Sequence, residues 1–428
     1  MKLGVMLLAS SLALGTVSCK KEGCTDPEAN NYSDSAKKDD GSCTYDEEVT
    51  PTSTQTITKA GSVTANETWT ANNIYKIVGK VVVEDGVTLT IEAGTIIKGE
   101  QGTGTLASAL VVAQGGKINA VGTASAPIIF TSVLDNIQPG QLTGTNLDET
   151  DQGLWGGVII CGRAPISAAD GDVLAQIEGI PVDDAFGAYG GSIANDNSGT
   201  MSYVSIRHGG AVIGAGNEIN GLTLGGVGSG TTINNIEVIA NLDDGIEFFG
   251  GTVAVSNVLI GFQGDDGLDI DQNFSGSISD FWVVNGSNSD ESLEIDGPEG
   301  TTNVNGLFTL TNGTCNSTAD LKDKAQGTFN NIILTTPKVR ASYQNDCVDP
   351  KTDAFTHLTA ATPTLVFNNS QFSTVSVYTA STDNAGVNPC TVPSGDQTTA
   401  EGAAVSGTAS GSTTSSYTWT WMSVNNHL

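Results

Sequence analysis

Two short strand-like segments recur in a fixed order about every two dozen residues in the middle of the chain. One track consists of GLTL, GIEF, GLDI and SLEI, which begin at residues 221, 245, 267 and 292. The other consists of TINNIEV, AVSNVLI, SISDFWV, NVNGLFT and TFNNIIL, whose fourth residues are Asn235, Asn257, Asp280, Gly306 and Asn331. Alternating apolar positions in these segments show the period of a β-strand. Paired strands repeating at this spacing predict the coils of a right-handed parallel β-helix.

Two other architectures fit this pattern less well. A leucine-rich repeat has a similar period, but it needs an L-x-x-L-x-L-x-x-N core that the chain lacks. A β-sandwich would show alternation without two strand types recurring in register. The composition also favours a turn-rich all-β chain, because 53 of 428 residues are glycine and only 15% are charged. We therefore predict an all-β protein built on the β-helix.

The chain divides into five predicted parts. Residues 1–18 form a signal peptide, residues 19–48 a cysteine-paired acidic module, and residues 49–61 a threonine-rich linker. The β-helix is predicted over residues 62–345, with insertions near residues 134–153 and 167–200. Residues 346–428 are predicted to form a β-rich cap, because an uncovered last coil would present unpaired strand edges.

The first residues predict where the protein is delivered. MKLGVMLLASSLALGTVSC has a basic Lys2, a short apolar stretch and then Cys19, and it resembles a bacterial lipoprotein signal. That resemblance implies cleavage before Cys19 and a lipid anchor on it, which would make the outer membrane a partner. The charged CKKE that follows resembles the surface-export signals of Bacteroidota-type lipoproteins, so exposure at the cell surface is expected. An ordinary secretory signal with a chance cysteine is the alternative.

Six further cysteines lie in a compartment that permits disulfides. The segment between Cys24 and Cys43 has too little apolar content for a core, so a disulfide would have to close it. A second bridge is predicted between Cys315 and Cys347. No local partner is evident for the two others, Cys161 and Cys390.

The N-terminal module also offers oxygen ligands for calcium. Its spacing does not match an EF-hand loop, so a polar spacer closed by the disulfide is the alternative. The candidate ligands are Asp26, Asp34, Asp39 and Asp40.

Longer stretches of the chain resemble a known group of proteins. These are ASALVVAQGGKINAVGTASAPIIFTS, LWGGVIICGRAPI, YVSIRHGG and the segment from GLTLGG through GDDGLDID. Together they resemble a widespread family of exported right-handed β-helix proteins, many of them lipoproteins, with the pectate-lyase-like solenoid. Most members are uncharacterised, so the resemblance implies a fold and a cellular location but no particular reaction.

A dense acidic face is predicted on the second strand track. Alternation sends Leu268 and Ile270 inward and builds an outward ladder of Glu247, Asp269 and Glu294, beside Asp271 and Asp296. Neighbouring rungs lie about 4.8 Å apart, where like charges repel by roughly 1 kcal/mol even in water. The repulsion is relieved if the side chains splay into water, if one carboxylate stays protonated, or if a cation bridges them, and calcium is the cation that fits this spacing. The preceding turns supply its candidate ligands, Asp243, Asp244, Asp265, Asp266, Asp290 and Glu291.

An enzymatic interpretation stays open beside binding. GDDGLDI resembles the paired-aspartate segment of polygalacturonase-type hydrolases, and that resemblance makes Asp244, Asp265 and Asp266 the catalytic candidates. The His-Gly and Arg-x-Lys segments that follow in those enzymes are missing here, and a calcium-assisted lyase would need a base that is hard to find. The sequence therefore favours non-catalytic binding or adhesion, with a polysaccharide lyase or glycoside hydrolase as the alternative.

The charge balance bears on the ligand class. The net charge of −30 repels phosphate backbones, which argues against nucleic acid and for cations or neutral ligands. No dinucleotide or phosphate-loop motif points to an organic cofactor. Alternation also predicts that the rings of Phe249 and Trp282 face outward, where they would stack on a glycan.

Overall fold

A computed structural model describes residues 20–45, 54–169, 173–178, 180, 185–214 and 217–428. The chain forms two compact units, Met1–Ser53 and Thr54–Leu428. The predicted signal peptide and the lipidation site at Cys19 lie outside the described residues. None of the helices in the described part of the chain is long and apolar enough to cross a membrane.

The larger unit consists mainly of strands, 23 of which join one hydrogen-bonded array. In chain order the elements are β1 (Thr56–Val63), β2 (Glu67–Trp69), β3 (Ile74–Val83), β4 (Thr88–Ile91), β5 (Ile96–Gly99), β6 (Ala109–Val112), β7 (Lys117–Val121), β8 (Ile128–Ser132), β9 (Val158–Cys161), β10 (Leu174–Gln176), β11 (Ala188–Gly190), β12 (Gly199–Arg207), β13 (Val212–Gly214), β14 (Asn217–Glu218), β15 (Leu222–Gly225), β16 (Thr232–Ile239), β17 (Ile246–Phe249), β18 (Ala254–Gly261), β19 (Leu268–Asp271), β20 (Ser277–Val284), β21 (Leu293–Ile295), β22 (Phe308–Cys315), β23 (Ala319–Leu321), β24 (Gly327–Ile333), β25 (Pro337–Arg340), β26 (Tyr343–Gln344), β27 (Asp349–Pro350), α1 (Ala354–Thr359), β28 (Leu365–Asn368), β29 (Ser376–Tyr378), α2 (Ser394–Ala403) and α3 (Trp421–Val424).

All pairings in the large array are parallel and connect successive coils, so the predicted β-helix is confirmed. Face A is the stack of β6, β9, β15, β17, β19, β21, β23, β25 and β29. Face B carries β2, β4, β7 and the first halves of the long strands from β12 to β24, and face C carries β5, β8 and the second halves. The parallel stack runs from Thr56 to Tyr378, which is longer than the predicted 62–345.

A left-handed residue bends each long strand between faces B and C. This position has φ of 51–58° and is an asparagine or aspartate in five of six strands, residue types that tolerate this conformation. The sequence alignment placed Gly306 here, which is wrong, because the longer loop before β22 shifts the position to Asn312. Hydrogen bonds join neighbouring bends: Asn312 Nδ2 donates to Asp280 Oδ1 at 3.0 Å. The bend residues are Tyr203, Asn235, Asn257, Asp280, Asn312 and Asn331.

The interior of the coils is closely packed and apolar. Along β17 and β19, Ile246, Phe248, Leu268 and Ile270 point inward and are fully buried. The glycine that opens the face A segments has a packing reason, since a Cβ at Gly245 would lie 2.5 Å from Ile260 Cγ2 on face C. This close approach explains the glycine in GLTL, GIEF and GLDI.

The end of the chain covers the last coil and then turns back along the stack. Strands β28 and β29 continue the coils, and α1 and α2 pack against β25, β28 and β29. Residues 405–428, here called the C-terminal strap, then contact coils of steadily lower number. Its partners in order are Ser370, Asn331, Thr314, Asp280 and Glu237.

The strap is held at its end by a buried carboxylate. Glu237 Oε2 accepts from Trp421 N at 3.0 Å, Oε1 accepts from Met422 N at 3.1 Å, and Arg207 Nη2 lies 3.6 Å away. Both charged side chains are fully buried. Ile239, Leu259, Trp421 and Met422 pack around them on the outer side of face C.

Replacing Glu237 with alanine is expected to lower the free energy of unfolding by about 3–5 kcal/mol, because it leaves Arg207 buried without a counter-charge. The strap should also become cleavable by protease between residues 405 and 428. Urea unfolding and limited proteolysis measure the two effects, with the exposed Glu401→Ala as control. Unchanged protease resistance in Glu237→Ala would contradict this role of the carboxylate.

The disulfides confirm one predicted pair and correct the other. Cys24 and Cys43 are bonded, as predicted. The predicted Cys315–Cys347 pair is wrong, since Cys347 is bonded to Cys390. Cys315 lies on β22 with its side chain inside the coil, where strand alternation keeps it away from the surface, and it is free, as is Cys161.

Turn hydrogen bonds occupy several carboxylates of the N-terminal unit. Asp26 accepts from Tyr45 Oη at 2.6 Å, while Asp39 and Asp40 accept from Gly41 N and Ser42 N. Among the described residues, neither of the two acidic groups close enough to share an ion lies in this unit. The proposed calcium ligands Asp26, Asp34, Asp39 and Asp40 are therefore not brought together.

Candidate functional site

A cleft of about 300 Å³ lies over the outer side of face A at β15, β17 and β19. Its floor is formed by these strands and the turns before them, and its walls by residues 177–178, 213 and 218–220. Eight of the lining residues are acidic: Glu178, Glu218, Asp243, Asp244, Glu247, Asp265, Asp269 and Asp271. The others are Ile159, Ile177, Ile213, Ile219, Asn220, Thr223 and Phe249, so none of the described residues that line the cleft is basic. We call this the acidic cleft.

Strand register places the predicted ladder as the repeats indicate. Glu247 lies opposite Asp269, and Asp269 lies opposite Glu294. The same row continues to Asp320 and Lys338, beyond the last repeat used in the sequence alignment. The acids are therefore neighbours on successive rungs of the stack.

The expected exposure of this face is wrong for several residues. Glu247, Asp244 and Asp266 are only 8%, 6% and 3% exposed. Phe249 is 4% exposed and packs against Tyr189, with ring centroids 5.5 Å apart. Alternation gave the right direction away from the coil, but residues inserted between the strands of face A cover the outer side and make it a cleft wall.

The other predicted aromatic is covered by a different part of the chain. Trp282 points away from the coil on face C, but it is partly buried against the cluster formed with Trp421 and Met422 of the C-terminal strap. Neither ring is thus the freely exposed stacking platform that the sequence predicts.

Burial raises the pKa values of the carboxyls in the acidic cleft. For Asp244, Glu247, Asp269 and Asp271, loss of hydration raises the pKa well above its ordinary value, and neighbouring carboxylates raise it further. Burial followed by repulsion from Asp265 raises the pKa of Asp243 to about 7. The cleft therefore favours either protons or a bound cation over free negative charge.

Hydrogen bonds link the turns that precede the face A strands. Asp244 Oδ1 accepts from Asp266 N at 2.9 Å, and Asp266 Oδ1 accepts from Glu291 N at 2.7 Å. Asp266 is not among the residues lining the cleft, and it is occupied by this link between coils. Of the three catalytic candidates, Asp244 and Asp265 thus reach the cleft, whereas the Asp266 side chain supports the turns.

Two groups of oxygen atoms in the cleft are close enough to share an ion. One comprises Asp243, Asp244 and Asp265, and the other comprises Asp244, Glu247 and Asp269, with ligand atoms within 4.8 Å of one another. Calcium binds oxygen at about 2.3–2.6 Å, so two ligands on opposite sides of an ion span a similar distance.

Three of the predicted calcium ligands stand outside these groups. Asp266 is occupied as described, Asp290 is exposed, and Glu291 forms an ion pair with Lys338. The structure therefore brings together Asp243, Asp244 and Asp265 from the predicted turn set, and Glu247 and Asp269 from the ladder with Asp244.

Sequence reasoning missed Asn220, which lines the cleft. It occupies the same place before the strand as Asp244, Asp266 and Glu291 do in the next coils, so alignment of the turns could have found it. Its Nδ2 donates to Glu247, while its Oδ1 is buried and has no hydrogen-bond partner in the described part of the chain.

A second cleft of about 330 Å³ adjoins the first through the shared residue Asp271. It contains acids and bases together, including Glu294, Asp296, Lys322 and Arg340. Lys322 pairs with Glu294, and Arg340 pairs with Asp323 and Asp353. The predicted ladder residues Glu294 and Asp296 thus belong to a mixed-charge surface, which could have been found by extending the repeat to TADL and PKVR.

Arg207 and His208 lie outside the acidic cleft. Both are buried on the face C side, and Arg207 is enclosed by Glu237 and the C-terminal strap. Burial also lowers the pKa of His208. The arginine therefore cannot supply the base that a lyase mechanism in the acidic cleft requires.

Comparison with known proteins gives one match. A family model described as a pectate-lyase like beta helix domain matches residues 61–423, a range that contains every residue lining the acidic cleft. No curated protein and no solved structure matches the chain significantly.

Proposed function

The chain belongs to the family of pectate-lyase-like β-helix domains, and from that premise we propose that it is a non-catalytic binding protein whose acidic cleft holds calcium and, with it, a glycan. The observation that carries the proposal is the cleft lining, which has eight acidic residues and no basic residue among those described. Buried carboxylates need compensation, and calcium provides it with the oxygen ligands it prefers.

The proposal of a glycan ligand is supported by the shape and polarity of the surface around the ion site. The acidic cleft continues into the mixed-charge cleft, so an extended chain could contact both. Ile159, Ile177 and Ile213 provide apolar wall on which the non-polar face of a sugar would pack. The family assignment fits a polysaccharide-related role, because its fold is that of pectate lyases.

The proposed location is the cell surface. The lipoprotein-like signal and Cys19 support an anchor in the outer membrane, and the CKKE segment supports export to the outside. A β-helix held there by lipid would present its acidic cleft to extracellular glycans.

One observation favours a calcium-assisted polysaccharide lyase or glycoside hydrolase as the second candidate. The pKa of Asp243 is raised to about 7, which suits a group that gives or takes a proton near neutral pH, and Asp265 lies beside it. Release of new reducing ends or unsaturated products from a glycan panel would establish this activity. An enzyme would lose it in Asp243→Asn, while a binding protein yields no products at all.

Calcium binding is expected to raise the melting temperature of the full chain by about 5 °C at millimolar concentration, since a ligand at 100 times its Kd adds about 2.7 kcal/mol. Magnesium should raise the melting temperature less than calcium does, because it loses its hydration water reluctantly. Differential scanning fluorimetry with chelator, calcium or magnesium measures the shift, and a glycan array in calcium and in chelator identifies the ligand. If calcium leaves the melting temperature unchanged, the proposal that the cleft binds calcium is wrong.

A further inference from the structure

We propose that the acidic cleft binds two calcium ions side by side, with Asp244 between them and Asn220 as a neutral ligand of one. This inference rests on the proposed function, because it specifies the number and places of the ions in the same cleft. The first observation is that Asp244 belongs to both oxygen groups described above. A carboxylate has two oxygens and can offer one to each of two neighbouring ions.

Asn220 supplies an observation that does not depend on the carboxylates. Its side chain is 6% exposed and lines the cleft, and its Oδ1 has no hydrogen-bond partner among the residues that the structure describes. In the next two coils the equivalent residues, Asp244 and Asp266, accept a backbone N–H from the following turn. At Asn220 that pattern stops, so a buried carbonyl oxygen is left open beside Glu247. Leaving such a group unsatisfied is costly, and amide oxygens are good calcium ligands.

A second open atom lies in the same group. No described residue forms a hydrogen bond with the buried Oδ1 of Asp269, and Asp269 shares the oxygen group with Asp244 and Glu247. The ion next to Asn220 would therefore be held by three carboxylates and one amide oxygen, with water completing the six to eight ligands that calcium takes. The other ion would be held by Asp243, Asp244 and Asp265 and more water.

The charge of the cleft favours two ions over one. The two groups together contain five carboxylates. One divalent ion leaves three negative charges in a partly buried space, whereas two leave only one. None of the described residues lining the cleft is basic, so the chain itself provides no compensation there.

The test is the stoichiometry of calcium on the full chain, measured by isothermal titration calorimetry and by native mass spectrometry with calcium as the only ligand. The wild type should bind two ions. Asp243→Asn should lose the ion near Asp265, and Asp269→Asn the ion near Asn220, so each should bind one. Asp290→Asn removes an equal charge from an exposed neighbouring position and should still bind two. Asn220→Ala should weaken one of the two sites about tenfold and leave the other unchanged.

The outcomes separate this inference from the proposed function. A wild-type stoichiometry of one overturns the paired site and leaves calcium binding in place. A stoichiometry of zero overturns both. Loss of both ions in Asn220→Ala would overturn the assignment of Asn220 to one ion, and urea unfolding in chelator verifies that each variant is folded.

Discussion

Replacing Asp244 with asparagine is expected to stabilise the calcium-free protein and to destabilise the protein relative to wild type once calcium is added. In chelator at pH 8 the gain should be about 1–3 kcal/mol, because the buried position disfavours the charged carboxylate that the unfolded chain carries at this pH. In millimolar calcium the wild type should gain about 2–3 kcal/mol for each ion bound, and the variant should gain almost none. The order of stability of the two proteins should therefore invert.

The reason lies in the two demands placed on Asp244. Its side chain accepts a hydrogen bond from Asp266 N, and asparagine can keep that bond through its own Oδ1. What asparagine cannot supply is the negative charge shared by both oxygen groups. Folding without an ion penalises that charge, since burial raises the pKa of Asp244 well above its ordinary value. Binding of calcium, in contrast, depends on this negative charge.

Urea unfolding of both proteins in chelator and in calcium measures all four stabilities. Asp290→Asn is the matched control, because it makes the same chemical change at an exposed position outside the cleft. It should track the wild type in both conditions. Equal calcium stabilisation of Asp244→Asn and wild type would show that the ion binds elsewhere.

The repeats were sufficient to predict the fold and the order of the ladder. Inward apolar residues recur in all four repeated face A segments, with a leading glycine in three and an outward acid in three, so register follows once the period is known. The position of Gly306 failed because the loop before β22 differs in length from the others, and a local alignment cannot tell an insertion from a slipped strand. The sequence pattern therefore predicts the position of a strand where the loops between coils have similar lengths, and it fails where one loop is longer.

What the sequence could not predict is what lies over the coils. Glu247 and Phe249 point away from the core as expected, yet residues 177–178, 213 and 218–220 come from other turns and cover them. The same holds for Trp282, which the C-terminal strap covers from more than 100 residues away. Cys390 likewise forms a disulfide with Cys347 because the folded chain brings the two residues together, and their spacing in the sequence does not reveal the pair. These contacts depend on three-dimensional folding of insertions that carry no repeat.

The calcium-free protein is expected to lose stability as pH rises from 5 to 8, and this loss should disappear in calcium. The carboxyls of the acidic cleft have pKa values raised above those of the unfolded chain, mainly by burial. Their contribution to stability is therefore complete below the unfolded pKa of about 4 and is lost as pH passes through each folded pKa. For Asp243 in the acidic cleft that pKa is about 7, and for Asp296 in the adjoining mixed-charge cleft it is about 6.

The size of the effect follows from the same shifts. Since one unit of pKa shift corresponds to about 1.4 kcal/mol, Asp243 alone should account for a loss of roughly 3 kcal/mol between pH 5 and pH 7, and the other cleft carboxyls add to it. Calcium should remove this loss, because it binds the charged form of the carboxylates and so favours their deprotonation. Melting curves at pH 5, 6.5 and 8 in chelator and in calcium measure both slopes, and Asp243→Asn should flatten the chelator series.

Exposed carboxyls give the opposite behaviour, which makes the slopes informative. Hydrogen bonds lower the pKa values of Asp40 and Asp383, so what these groups contribute is present above pH 4 and lost only below it. They cannot produce a decline between pH 5 and 8 in chelator. A melting temperature that rises over that range without calcium would mean that the cleft carboxylates are already compensated, and the need for an ion would vanish with it.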